Sequence, residues 1–130
     1  DVKFDLIFTS PLKRARETAE IIRGKRNIPL LEEDRLLEIS FGEYEGFSFG
    51  AETYTIPDPE FMNFFRNPEE YRVPPEGESF ASVIERTGSF LKELLEEEKY
   101  RDKTILLSTH GCALKALLAN IKSLVTTKLM

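Results

Sequence analysis

Two short apolar runs break almost at once into helix-start sequences, and that repetition constrains the fold more than any other feature. Phe4 to Thr9 leads into Ser10-Pro11, and Thr104 to Thr109 leads into His110-Gly111. Runs that stay apolar at successive positions suit strands buried on both faces of a parallel sheet. Serine caps the free amides of a helix and proline fits its first turn, so a helix is expected after the first run. Its core stripe reads Leu12, Ala15, Ala19 and Ile22, with Gly24 as the stop. Ser79 is expected to cap the longest helix, striped by Phe80, Val83, Ile84, Thr87, Phe90, Leu91, Leu94 and Leu95 and ending in the acidic run Glu96 to Glu98. A last helix should carry Leu114, Leu117, Leu118 and Ile121 on one face. The alternation predicts an α/β chain of three layers, α/β/α, around a mostly parallel sheet.

Strand arithmetic adds a second expectation. Only two strands are strong, with Leu30-Leu31 and Val125-Thr126-Thr127 as weaker additions. A parallel sheet needs several paired strands and cover on both faces. The helices would cover more sheet than these strands supply, so at least one core strand is expected to be lacking. The chain also opens without methionine, directly on a strand-like run, which predicts an upstream piece that has been removed. An open sheet edge would allow pairing into a homodimer.

From Phe41 to Tyr71 the texture changes: nine of the fourteen aromatic residues fall there, punctuated by Gly42, Gly46, Gly50, Pro57, Pro59 and Pro68. One short helix fits inside, with Asp58 as cap, Pro59 at its first position and an end near Arg66. Residues 1–130 read as a single domain in which about 41–75 form an aromatic-rich lid or pocket wall, the plainer alternative being an irregular satellite core.

Composition narrows the function classes. With 41% apolar and 32% charged residues the chain reads as globular. No apolar run approaches the roughly 18 residues of a membrane helix, and the start lacks the basic-then-apolar pattern of a signal peptide. The single Cys112 allows no internal disulfide and suits a cytoplasmic setting. A net charge of −5 argues against nucleic acid as the main partner. Any phosphate chemistry must then come from a local basic site.

Three places could carry chemistry. Lys13, Arg14 and Arg16 crowd the positive end of a helix, against its dipole. Lys13 has Glu17 and Arg16 has Glu20 four residues on, which leaves Arg14 freest to bind an anion; otherwise it is an ordinary surface arginine. His110, the only histidine, stands where a strand becomes a helix. Gly111 beside it permits close backbone approach, and the new helix offers free amides to an anion. Glu38 lies between leucines and an isoleucine in a stretch that also holds Glu43 and Glu45. That partly apolar setting suits a general acid, though an acidic surface loop would read the same way.

Taken in order, Ser10-Pro11-Leu12-Lys13-Arg14-Ala15-Arg16-Glu17-Thr18-Ala19, Leu37-Glu38 with Phe41-Gly42 and Glu45-Gly46, Pro75-Glu76-Gly77-Glu78-Ser79, and Thr109-His110-Gly111 resemble the histidine phosphatase superfamily, phosphoglycerate-mutase branch. The resemblance spans about residues 3 to 121. It implies a phosphoglycerate-mutase-like fold and a phosphomonoester hydrolase working through a phosphohistidine intermediate on a phosphorylated small molecule, with no metal or organic cofactor. It implies that Arg14, His110 and Gly111 bind the phosphoryl group, that His110 and Glu38 are catalytic with Glu38 protonating the leaving oxygen, and that Ser10, Phe41, Tyr44 and Glu78 line the substrate pocket. The family's nucleophile belongs to an upstream Arg-His-Gly motif, and none occurs in these 130 residues. The expectation is therefore a phosphatase-type chain lacking the nucleophilic histidine. Three other readings remain: a phosphoglycerate-mutase-type phosphoryl transferase, a non-catalytic phospho-ligand binding module, and an association domain built on Phe41 to Phe65.

Overall fold

In the computed structural model, which describes residues 2–50 and 52–129, with side chains to Leu124, three parallel strands form one sheet. They are β1 (Leu6–Thr9), β2 (Leu30–Glu32) and β3 (Ile105–Ser108), in the order β2-β1-β3. The weak Leu30-Leu31 signal is thus a true strand, pairing Ile7 with Leu30 and Phe8 with Leu31. The other weak signal is not: Val125-Thr126-Thr127 continues helix α4, which runs Gly111–Leu129. Its β-branched residues follow on from a helix already propagating, and extending a helix costs far less than starting a new element.

Strand alternation divides the core. Phe8 faces one side of the sheet and packs with Leu36, Phe90, Leu91 and Leu117, flanked by Leu6, Ile105 and Leu107. Phe90 and Leu91 come from α3 (Phe80–Glu96) and Leu117 from α4. On the opposite side Ser108 donates its hydroxyl hydrogen to the Ala15 carbonyl of α1 (Lys13–Arg23), 2.7 Å away. The layers are therefore α/β/α, as the sequence predicts. Among the described residues β3 is an edge strand, paired only to β1.

Four details differ from the sequence reading. Helix α1 begins at Lys13, and Ser10 caps no amide inside it; its Oγ accepts from Leu12 N, 3.3 Å away, because Leu12 is still extended. Within α1 only Ala15 and Ala19 are buried; Leu12 and Ile22 are exposed, since the small residues let the helix lie close to the sheet. On α4 the buried side chains are Ala113, Ala116 and Leu117, while Leu114, Leu118 and Ile121 face outward. Two of the three are alanines, so α4 too lies close to its neighbours through small residues. Finally, α4 with 19 residues is longer than α3 with 17.

The chain divides into two compact units, one formed by residues up to Glu38 together with those from Phe80 onward, the other being Ile39–Ser79. The second unit holds an aromatic cluster around Phe61, whose ring centroid lies 5.0 Å from Phe41 and 6.0 Å from Tyr44. Asp58 caps a 3-10 turn, Pro59–Met62, that continues into α2 (Asn63–Arg66), close to the expected helix. Gly42 adopts φ +57°, and a Cβ there would overlap the backbone of Pro75, Glu76 and Gly77. Glu45 accepts from Phe41 N at 2.6 Å, so this carboxylate closes its own loop.

Candidate active site

Pairing between β1 and β3 aligns Thr9 with Ser108, so the chain leaves both strands at the same end of the sheet. The next residues but one on β3's side and the next on β1's side, His110 and Ser10, are thereby brought together. His110 Nε2 lies 2.9 Å from Ser10 Oγ. Ser10 is wholly buried and His110 is 8% exposed. Burial pushes the imidazole below its ordinary value, the positive charge of Arg14 adds to this, and Glu38 partly offsets it. His110 therefore favours the neutral form near neutrality.

Glu38 reaches the same place from the other direction. Its Oε2 accepts from Cys112 N at 3.1 Å and its Oε1 from Ala113 N at 3.0 Å. The carboxylate thus caps the first turn of α4, which carries no acidic residue of its own there. Two amides expected to be free for an anion are occupied, because unpaired N–H groups at a helix start attract whatever negative group is near. A Cβ on Gly111 would meet Glu38 Oε2 at 4.0 Å, an ordinary contact, so the space beside the carboxylate is open.

Arg14 completes the group. Lys13 and Arg16 pair with Glu17 and Glu20 at 3.8 and 3.9 Å, as the spacing predicts, and Arg16 also approaches Glu32. Arg14 makes no ion pair among the described residues, and the residue is exposed. It lines an open cleft of about 310 Å³ together with Thr18, Glu38, Thr109, His110 and Gly111. One neutral-leaning imidazole, one guanidinium and one carboxylate around a small cleft can hold a tetrahedral anion and exchange a proton with it.

Sequence comparison decides the family. The family model of the histidine phosphatase superfamily (branch 1) matches residues 1–129. The chain belongs to that superfamily. The superfamily is enzymatic, and the relatives of this chain are named as phosphatases and phosphoglycerate mutases. One is the uncharacterized phosphatase PhoE of Bacillus subtilis, 32% identical over 121 residues that make up 93% of this chain and 55% of the relative. Another is a 2,3-bisphosphoglycerate-dependent phosphoglycerate mutase of Cytophaga hutchinsonii, 30% identical over 93% of this chain and 57% of the relative. Among solved structures, YhfR of Bacillus stearothermophilus superposes with a TM-score of 0.80 at 36% identity, covering 94% of this chain and 58% of that one. The chain spans a little over half the length of these relatives.

The first unit of this superfamily member gathers five of the residues singled out from sequence: Ser10, Arg14, Glu38, His110 and Gly111. Phe41, Tyr44 and Glu78 belong to the second unit, where Glu78 N donates to Ser40 O at 2.9 Å and so joins the end of that unit to its beginning. Sequence analysis names Thr109 only within its motif and gives Arg35 no role; the Thr109 hydroxyl donates to Leu36 O at 2.6 Å. The run of carboxylates Glu32-Glu33-Asp34 just before Arg35 is the available signal for Arg35. Among the described residues no helix is long and apolar enough to cross a membrane.

Proposed function

We propose that this chain is the phosphate-handling part of a phosphomonoester hydrolase that works through phosphohistidine, and that the nucleophilic histidine lies outside these 130 residues. What carries the reading is the meeting of Arg14, His110 and Glu38 around one cleft in a member of this superfamily. The nucleophile's nitrogen bonds to phosphorus as the ester P–O bond breaks, and Glu38 gives its proton to the departing oxygen. Water then attacks the phosphorus: its oxygen bonds there as the N–P bond breaks, one of its protons passes to the Glu38 carboxylate, and phosphate leaves with the nucleophile restored. Arg14 and His110, with the Gly111 backbone, hold the phosphoryl oxygens, which suits a transition state governed by positioning and charge. Ser10 supports His110 from below. Phe41, Tyr44 and Glu78 are assigned to selecting a phosphorylated small molecule, on the strength of the motifs they occupy. The brevity of Ile39–Ser79 favours hydrolase over mutase. The reading also includes a cytoplasmic setting, supported by the lone Cys112, and a homodimer formed through the open edge of β3.

A generic aryl phosphate tests this. The chain alone should not turn it over, whereas a chimera carrying an upstream segment with the Arg-His-Gly motif ahead of Asp1 should. If neither form hydrolyses the ester but inorganic phosphate still binds, the protein is a non-catalytic phospho-ligand module, a reading favoured by the lone histidine.

A further inference from the structure

We propose that Arg35 is a positioning residue: by bolting residues 33–36 to α3 it sets where the Glu38 carboxylate meets the first turn of α4. The inference deepens the proposed function and rests on it for the role of Glu38, though not for the geometry.

The segment that delivers Glu38 has little regular structure of its own. The sheet ladder ends where Thr9 pairs with Glu32, followed by a last bond from Glu33 N to Thr9 O at 2.8 Å. Beyond it lies one 3-10 turn, Asp34–Leu36, a conformation with poor intrinsic persistence. Side chains must therefore fix the height of the segment. Leu36 does so without direction, since its burial among Phe8, Phe90, Leu91 and Leu117 tolerates small shifts.

Arg35 supplies direction. Its Nε and Nη2 donate to the two oxygens of Glu33, each at 3.0 Å, a forked pairing. Nη2 also donates to Glu93 Oε1 at 3.1 Å and Nη1 to Ser89 Oγ at 3.3 Å, both on α3. The guanidinium lies over the Phe90 ring, 5.1 Å from its centroid. Its backbone is held as well: Arg35 N donates to Glu33 Oε2, and Arg35 O accepts from Arg86 Nη1 at 2.9 Å. A planar fork with five donors satisfies all these partners in one orientation, which a lysine cannot do. One residue on, Leu36 O takes the Thr109 hydroxyl beside His110, and two further on Glu38 caps α4. The path from α3 to the cleft is thus a continuous chain of bonds through Arg35.

Amide resonances of Cys112 and Ala113 report the cap directly, and Glu38→Ala gives their uncapped positions. Arg35→Met should move both signals toward those positions in the folded protein, with Arg35→Lys intermediate. Lower stability alone would not move native-state signals. Should Arg35→Met fail to fold, the double variant Ser89→Ala, Glu93→Gln removes only the α3 anchors and should move the same two signals in the same direction. Folded variants that keep both amides at their wild-type positions overturn the proposal. Titration of the wild type with inorganic phosphate separates this from the site reading: an unmoved His110 resonance counts against the site whatever the Arg35 variants show.

Discussion

His110 Nε2 and Ser10 Oγ lie 2.9 Å apart in a bond that joins the two strand ends across 100 positions of sequence. The same serine oxygen accepts from Leu12 N, so one buried hydroxyl serves both the imidazole and the approach to α1. Ser10→Ala leaves the nearly buried imidazole without this partner on the side away from the cleft. The expected cost is about 1–3 kcal/mol of unfolding free energy, read by urea denaturation. A variant as stable as the parent would show the bond to be dispensable.

His110 offers a second measurement because it is the only histidine. Its single imidazole signal should titrate below the ordinary 6.5. The sign follows from linkage: the unfolded chain takes the proton first as pH falls. The contribution to stability is complete above about pH 6.5 and is lost as pH falls toward the folded midpoint. Arg14→Ala should raise that midpoint and Glu38→Gln should lower it further. Bound phosphate should raise it, so that binding takes up protons near neutrality.

Arg14 should matter for anions and hardly at all for the fold. It is exposed and makes no ion pair among the described residues, so Arg14→Ala should leave Tm nearly unchanged. Loss of a charged hydrogen-bond donor should cost about 1.5–3 kcal/mol in phosphate binding, roughly ten- to hundredfold in Kd. Calorimetric titration showing equal affinity for parent and variant would remove Arg14 from the site.

In the second unit the sharpest test is Gly42→Ala. The positive φ and the overlap with the backbone from Pro75 to Gly77 allow no relief by side-chain rotation. Strain alone should cost about 1–3 kcal/mol, and the forced backbone shift more. Chemical-shift changes should concentrate at residues 40–45 and 74–78, where Glu43 N donates to Pro75 O.

The sequence was most informative where a residue's role depends on local spacing. Both strong strands, the α3 stripe through Val83, Thr87, Phe90 and Leu91, and the i,i+4 pairs of Lys13 and Arg16 follow from periodicity and short-range geometry. Arg14 was legible for the same reason, as the cation left over. What stayed hidden depends on distant partners. Nothing around Glu38 announces that its carboxylate ends on the amides of Cys112 and Ala113, more than 70 positions away. The inward face of α4 differs from the expected stripe because hydrophobicity favours its leucines, whereas the buried face carries Ala113 and Ala116 beside Leu117. The 125–127 run looked like a strand because local propensity ignores a helix already under way.

The β1–β3 register also has a kinetic side. Pairing Thr9 with Ser108 closes a loop of about three quarters of the chain, and that closure entropy is spent before any contact across it returns free energy. No shorter-range pairing can assemble Ser10 with His110, so partly folded forms with α1, α3 or α4 already helical hold no imidazole–hydroxyl pair. A one-residue slip would turn every side chain of β3 to the other face and leave His110 displaced from the serine. The imidazole–hydroxyl pair therefore forms only once β3 docks on β1, and in a refolding experiment its appearance should coincide with that docking.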